Sequence, residues 1–206
     1  CSSDLGISPY AILAVTFTNK AAAEMRERVE ALVGAKPGMW IQTFHSSCLR
    51  ILRSNADRVG YSSNFVVYDP VDQKTLVKKI VKDLQLDEKR YAPGYCLAVI
   101  SEQKEKGNSA EKYALSVANM PPAYKGIASI FEEYEKSLKK NNAMDFDDLI
   151  LNTVRLFETC PDVLEQYRQK FQYIMVDEYQ DTNMLQYRFI KLLAEKHRNI
   201  CVVGDD

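Results

Sequence analysis

The sequence predicts an α/β protein whose parallel sheet is interrupted by an all-helical insert. Short apolar runs that are typical of buried strands alternate with stretches whose apolar residues recur at helical spacing. The strand signals stop near residue 71 and resume after residue 143. We therefore expect residues 1–70 and 144–206 to form one α/β unit, and residues 71–143 to form a helical subdomain inserted between its two parts.

The composition is typical of a soluble globular protein. The chain has 206 residues, of which 46% are hydrophobic and 27% are charged, and its formal net charge is −1. This balance excludes a general attraction to nucleic acid or anionic lipid, so any contact with nucleic acid must come from a local surface. No apolar run approaches the ~18 residues that span a bilayer, and no signal-peptide pattern is present. The cysteines include no CxxC pair, so we expect a cytoplasmic protein without disulfides, a zinc site or membrane contact.

Residues 1–70 contain two strand–loop–helix units followed by a third strand. The run AILAVTF is too short for a helix, and it predicts a buried strand. The next helix has Thr18 or Asn19 as its N-cap and Gly34 as its C-terminal stop. The second helix is expected to bury a stripe of Leu49, Leu52, Ala56 and Val59. The predicted strands are residues 11–17, 40–44 and 65–68.

Residues 71–143 lack strand signals and carry apolar residues at helical spacing instead. These apolar residues are Leu76, Ile80 and Leu84, followed by Ile127, Ile130, Phe131, Tyr134 and Leu138. Turn-forming Pro–Gly, Gly–Asn and Pro–Pro pairs separate the helices. The segment is rich in lysine. We interpret these lysines as a solvated helical face; the second interpretation is a surface that binds along the phosphates of a nucleic acid.

The alternation of helices and strands resumes at residue 144. The pattern predicts a helix through Leu149 and Leu156, another after Pro161, a strand at 173–176, a helix at 184–196 and a strand at 200–203. Strands that alternate with helices imply right-handed crossovers and a mostly parallel sheet.

The most distinctive polar segment follows the predicted strand at 173–176. Its sequence is DEYQDTN, at residues 177–183. The carboxyl ends of parallel strands face the ligand crevice, so a carboxylate there can meet a bound phosphate and its metal. Asp177 suits Mg²⁺, which takes one or two carboxylates besides phosphate oxygens, and Glu178 suits a base that activates water. The alternative is that the last three residues of the segment cap the next helix, and we expect this of one of them.

Motifs of one known family occur in order along the chain. They are TFTNKAA at 16–22, QTFHS at 42–46, MDFDDL at 144–149 and VDEYQDTN at 176–183. Together they resemble the UvrD/Rep/PcrA group of superfamily 1 DNA helicases, and the matches run from near Gly6 to Asp206. A single DE pair would be weak evidence, whereas this ordered set is highly specific. The resemblance implies a P-loop NTPase fold of the RecA-like type, with the α/β segments as part of its first motor domain, 1A, and the helical segment as the inserted subdomain 1B.

The resemblance also implies residues that contact single-stranded DNA. They are Thr16, Phe17, Thr18 and Asn19 in the first motif, and Thr43, Phe44, His45 and Ser46 in the second. A phenylalanine ring can stack on a base, and the polar side chains can bond phosphate or sugar. The residues alone would favour a buried Phe17 with Asn19 as a helix cap, and His45 could equally cap or pack. The resemblance instead favours DNA contact for these residues, and it makes His45 a contact and not a catalyst.

ATP and Mg²⁺ are the cofactors that the resemblance implies. Asp177 resembles the Mg²⁺ ligand, and Glu178 resembles the catalytic base of ATP hydrolysis. Gln180 resembles the residue that senses the γ-phosphate region, and Asp205 lies where the family's GDxxQ motif begins. No glycine-rich GxxxxGK[ST] sequence occurs in the chain, although the family places this P-loop just before the matching segment. The family's arginines and second RecA-like domain would follow, so we expect both ends of the chain to be cut.

A second acidic cluster lies in the MDFDDL motif. Asp145, Asp147 and Asp148 invite interpretation as a metal site. Their place at a predicted helix start favours an interaction with the helix dipole instead, and the resemblance supplies no metal there.

The leading hypothesis is therefore part of an ATP-dependent DNA helicase, an ATP hydrolase of DNA-repair type. It would couple Mg-ATP hydrolysis to translocation on single-stranded DNA and to duplex unwinding at ss/ds junctions, although this segment alone is expected to be inactive. One alternative is the motor part of a helicase–nuclease subunit, which the short insert disfavours. Another is a nucleotide-independent DNA-binding module, against which the intact Asp177–Glu178 pair argues.

Overall fold

The computed structural model describes residues 7–205. The first six residues of the predicted segment 1–70, and Asp206 at the end of segment 144–206, lie outside the described residues. The strands are β1 (Ile12–Thr16), β2 (Trp40–Thr43), β3 (Val66–Val67), β4 (Ala143–Met144), β5 (Tyr173–Val176) and β6 (Ile200–Val202). The α-helices are α1 (Asn19–Val33), α2 (Phe44–Asn55), α3 (Pro70–Asp83), α4 (Pro93–Glu105), α5 (Ala110–Ser116), α6 (Pro122–Lys140), α7 (Phe146–Thr159), α8 (Pro161–Lys170) and α9 (Met184–Ala194).

Four strands form a parallel sheet in the order β2-β1-β5-β6. In its register, Val15 lies opposite Gln42 on one side and Val176 on the other, so the carboxyl ends of the central strands meet at one edge. The prediction of an α/β fold with a parallel sheet is confirmed. A second, two-stranded parallel sheet joins β3 to β4. The sequence did not predict β4, because two residues are too few to show a periodic pattern.

The helix ends explain where the sequence-based bounds shift. Thr18 caps α1 with its hydroxyl, which accepts the Ala21 N–H, and Gly34 ends the helix at φ 79°. Phe44 was predicted in a strand but begins α2, because the Thr43 hydroxyl accepts the Ser46 N–H and caps the helix one residue earlier.

The predicted buried stripe of α2 is partly wrong. The buried residues of the helix are Phe44, Ser47, Cys48, Ile51 and Leu52. Leu49 and Val59 are only half-buried. The α-helix ends at Asn55 and a 3₁₀ turn follows, so the 3.6-residue period does not continue to Val59.

Helices cover both faces of the four-stranded sheet. Leu13 and Val15 of β1 point into the main apolar core, which α2, α7, α8 and α9 complete. Ala14 points to the opposite face, where it packs with α1. This alternation follows from the period of two along a strand. Because β1 is covered on both faces, its sequence is one continuous apolar run, as is typical of strands in parallel sheets.

The helices α3 to α6 have an apolar core of their own. Fully buried side chains at its centre include Val77, Cys96, Ile130 and Tyr134. None of the helices in residues 7–205 combines the length and apolar character needed to span a bilayer.

Gly126 marks the tightest packing in this helical region. It lies within α6, where a Cβ atom would collide with the ring and hydroxyl of Tyr91, which is itself buried. Gly94 also lies in a helix, but its missing side chain would meet nothing within 4 Å.

We expect Gly126→Ala to lower the free energy of unfolding by about 1–2 kcal/mol, because the overpacking cost exceeds the gain in helix propensity. The matched control Gly94→Ala should raise it by up to about 1 kcal/mol. Urea denaturation of the two variants measures both changes. Equal effects of the two substitutions would contradict the proposed packing.

Candidate functional site

The loop after β5 is held between the ends of two other strands. The Asp177 N–H donates to the Val15 carbonyl at 3.0 Å, which joins the loop to the end of β1. The Tyr179 N–H donates to the Val203 carbonyl at 2.9 Å, which joins it to the end of β6. The acidic loop and the loop after β1 are therefore direct neighbours at the carboxyl edge of the sheet.

Glu178 has an unusual backbone conformation. Its φ is 54° and its ψ is 41°, in the left-handed region that residues with a Cβ seldom adopt. The neighbouring strand ends impose this conformation by binding the loop on both sides. A carboxylate held there, at a cost of about 1–3 kcal/mol, is a feature of functional sites.

Gln180 and Asp205 come together, although they lie far apart in sequence. The Asp205 N–H donates to the Gln180 Oε1 atom at 3.3 Å. Gly204 permits this approach, since a Cβ on it would lie 2.5 Å from the same oxygen. Gln180 and Asp205, which were both predicted for the nucleotide site, are exposed at this edge of the sheet.

Asp177 offers a hard oxygen ligand at the mouth of a pocket. Its carboxylate is half-buried and lines a pocket of about 300 Å³ between α1 and the ends of β5 and β6, together with Glu24 and Arg28. The adjacent carboxylates of Asp177 and Glu178 have the ligand chemistry that Mg²⁺ prefers. The chemistry of these residues therefore fits a magnesium–phosphate group.

The last residue of the acidic loop has a structural role. Asn183 caps α9, accepting the Gln186 N–H at 3.0 Å while the Gln186 side chain accepts the Asn183 N–H at 2.9 Å. The expectation that one residue of this segment caps the helix is confirmed. Asn183 also donates from Nδ2 to Glu105 of α4 at 3.4 Å.

Three predicted DNA contacts are not on the surface. The Thr16 side chain is fully buried and its hydroxyl has no hydrogen-bond partner within residues 7–205. Thr43 is buried, and its hydroxyl is used in the cap of α2. Phe44 packs in the core, with its ring centroid 6.3 Å from that of Phe189. The structure corrects the expectation that these side chains contact DNA directly. A sequence motif does not show which way a residue at a strand end points.

The other predicted contacts form an accessible corner. Thr18 and Asn19 are exposed, while Phe17, His45 and Ser46 are half-buried. The Phe17 ring rests on Phe44, with centroids 5.4 Å apart. Burial lowers the pKa of His45, so its imidazole is neutral at pH 7 and can both donate and accept a hydrogen bond.

Phe146 joins this corner, and the sequence did not predict its role. Its ring meets His45 edge to face, with centroids 5.8 Å apart, and the side chain is 46% exposed.

The acidic cluster around Phe146 is structural. Asp145 caps α7 and forms a capping box with Asp148. Within the described chain, no group of three or more His, Cys, Asp or Glu residues could hold a metal ion. The interpretation of this cluster as a helix-start feature therefore agrees with its geometry.

A parallel sheet covered by helices on both faces, with carboxylates after one strand and polar and aromatic residues after its neighbours, defines an α/β domain whose candidate site lies at the carboxyl edge of the sheet. The chain matches the family described as UvrD/REP helicase N-terminal domain over residues 3–206, and it belongs to that family. It is 48% identical over 203 residues to the ATP-dependent DNA helicase PcrA of Staphylococcus aureus (strain NCTC 8325 / PS 47). It is 50% identical over 200 residues to PcrA of Staphylococcus epidermidis (strain ATCC 12228 / FDA PCI 1200). Each match covers 97% of this chain, which spans only 27% of the relative.

The backbone of Glu178 generates a stability prediction. Glu178→Gly should leave the free energy of unfolding unchanged or raise it by up to about 1 kcal/mol, because relief of the left-handed strain offsets the entropy of glycine in the unfolded chain. Asp181→Gly, in the same loop at ordinary φ, should lower it by about 0.5–1 kcal/mol. Urea denaturation of the two variants tests this, and a larger loss for Glu178→Gly than for Asp181→Gly would show that the carboxylate itself stabilises the loop.

Proposed function

We propose that this chain is part of an ATP-dependent DNA helicase, in which it forms part of the first motor domain. Residues 1–70 and 144–206 belong to the RecA-like domain 1A, and residues 71–143 are the inserted subdomain 1B. The observation that carries the proposal is the juxtaposition at one sheet edge of the acidic loop and the polar loop after β1, linked by the Asp177–Val15 hydrogen bond. The family membership and the separate apolar core of α3–α6 support it.

The acidic loop is the proposed ATP-hydrolysis site. Asp177 would hold Mg²⁺, which neutralises charge on the phosphates when it is bound with ATP. Glu178 would take a proton from the attacking water, and Gln180 would sense the γ-phosphate next to Asp205. The strained backbone of Glu178 also argues against a nucleotide-independent module, which would gain nothing from holding a carboxylate in this conformation.

The proposed site would need a P-loop, which this sequence does not contain. All three residues of β6 are exposed, although strands of parallel sheets are normally covered. An apolar edge strand of this kind is a template for another strand. We propose that a strand leading into the P-loop pairs with β6 in the whole protein, which brings the P-loop next to Asp177 and Asp205.

The corner formed by Phe17, Thr18, Asn19, His45, Ser46 and Phe146 is the proposed contact with single-stranded DNA. It combines aromatic rings, which stack on any base, with polar groups for phosphate and sugar. The buried Thr16, Thr43 and Phe44 would support this corner from below. Because the net charge is only −1, the binding of single-stranded DNA would depend on these local contacts and not on a broad basic surface.

Glu178→Gln in the whole protein should reduce DNA-stimulated ATP hydrolysis by about 10²–10⁴-fold, because the amide cannot accept the proton from water. Glu88→Gln is a matched control on an exposed loop residue and should retain wild-type turnover. Phosphate release at saturating ATP and single-stranded DNA measures both. Wild-type turnover in Glu178→Gln would rule out Glu178 as the base.

Removing the aromatic ring of Phe146 should weaken the binding of single-stranded DNA. Phe146→Ala should raise the dissociation constant for a labelled oligothymidine by about 5- to 150-fold, since one base–aromatic stack contributes about 1–3 kcal/mol. Tyr95→Ala removes a similarly exposed aromatic from α4, a helix that supplies no residue to the corner, and should leave the affinity unchanged. Fluorescence anisotropy with the whole protein measures the constants, and an equal loss in both variants would contradict a localised site.

A further inference from the structure

A buried lysine connects the helical region to the start of α7. Lys104 lies in the last turn of α4, and none of its surface is exposed. Its ammonium group is 2.8 Å from a carboxylate oxygen of each of Asp145, Asp148 and Glu135. The Tyr134 hydroxyl donates to the same Asp145 oxygen at 3.0 Å. Three carboxylates therefore surround one cation at the junction of α4, α6 and α7.

Two of these carboxylates determine where α7 begins. The Asp145 side chain accepts the Asp148 N–H at 2.9 Å, and the Asp148 side chain accepts the Asp145 N–H at 3.1 Å. Each carboxylate uses its second oxygen for Lys104. The capping box is thus fixed to α4 at both of its residues.

Phe146 is the residue enclosed by this box. It is the first residue of α7, and it has few contacts of its own, because its side chain is 46% exposed. Its position against His45 is therefore determined mainly by the backbone that Asp145 and Asp148 hold. A rigid support of this kind is what an exposed binding residue needs in order to keep its geometry.

The same turn of α4 also reaches the acidic loop. Glu105, the residue after Lys104, accepts the Asn183 Nδ2–H at 3.4 Å. Adjacent residues of one helical turn thus contact the end of the acidic loop and the support of the Phe146–His45 pair.

We propose that Lys104 is a positioning residue, which holds Phe146 and His45 in place by anchoring the capping box of α7 to the helical region. The role assigned to this pair in DNA binding rests on the proposed function, whereas the anchoring itself does not. Nothing in the side-chain chemistry of Lys104 brings it into contact with DNA or nucleotide, since it is fully buried.

The test follows the two histidines of the chain, His45 and His197, by NMR. In the 206-residue chain, Lys104→Met should move the pKa of His45 upward toward its ordinary value, because a displaced Phe146 leaves the imidazole more exposed to water. The His197 resonances at a fixed pH should match those of the wild type and serve as the internal control. Lys106→Met removes an exposed lysine of the same region, which pairs with Glu102, and should leave the pKa of His45 unchanged.

Asp145→Asn is the second variant, for the case that Lys104→Met does not fold. Asparagine is as good an N-cap as aspartate, so the helix start is retained while the contacts of the second oxygen with Lys104 and Tyr134 are lost. The pKa of His45 should again rise. A folded Asp145→Asn chain with the wild-type His45 pKa would overturn the proposal, whatever its stability, because a purely structural lysine predicts that result.

The whole protein separates this inference from the proposed function. Lys104→Met should raise the concentration of single-stranded DNA needed for half-maximal ATPase stimulation by about tenfold, with DNA-free hydrolysis unchanged. Lys104→Arg keeps the charge and should restore much of the affinity. An absence of DNA stimulation in the wild-type protein would refute the helicase proposal, whereas the His45 titration would still decide whether Lys104 positions the pair.

Discussion

The parallel pairing of β1 with β2 and β5 is the constraint on which the other features depend. It aligns the carboxyl ends of three strands, so that the loops after Thr16 and Val176 and the start of α2 after Thr43 lie at one edge of the sheet. The register is fixed because Val15 and Val176 point into the same core, and a slip by one residue would expose them. The hydrogen bond from Asp177 to Val15 then makes the acidic loop and the loop after β1 into one mechanical unit.

The backbone of the proposed ATP-hydrolysis site departs from relaxed geometry at two positions. Glu178 keeps a Cβ at a φ where glycine would be easier, and Gly204 lacks a Cβ where Gln180 approaches closely. These two departures are complementary. The loop holds Glu178 in a backbone conformation that residues with a Cβ seldom adopt, and Gly204 leaves room for the side-chain amide of Gln180. Strain at Glu178 and the missing Cβ of Gly204 thus shape a polar loop at the edge of an otherwise regular sheet.

Much of the fold could be predicted from the sequence, because its signals are local. The strand Tyr173–Val176, the cap at Thr18 and the stop at Gly34 each follow from a few adjacent residues. The candidate site was harder to predict. Thr16 and Phe44 lie in the right motifs but point inward, since orientation at a strand end depends on what packs there. Lys104 was not predicted to have any special role, because its partners lie 41 and 44 residues away in sequence.

The charges around Lys104 act on stability in opposite directions. Although burial favours the neutral amine, the three carboxylates hold the pKa of Lys104 well above its ordinary value, which stabilises the fold at neutral pH. One ammonium faces three carboxylates, and burial raises the pKa of Asp148 to about 7, against the opposing effect of the lysine. Between its ordinary pKa and 7 the folded chain binds more protons there than the unfolded chain, so this group destabilises the fold increasingly as the pH rises through that window. An apolar cluster of the same volume would avoid this cost, but it would lack the directed contacts that hold α4 against α7. The contacts of one ammonium with three carboxylates favour one register of the helices, which is what a support for the partly exposed Phe146–His45 pair requires.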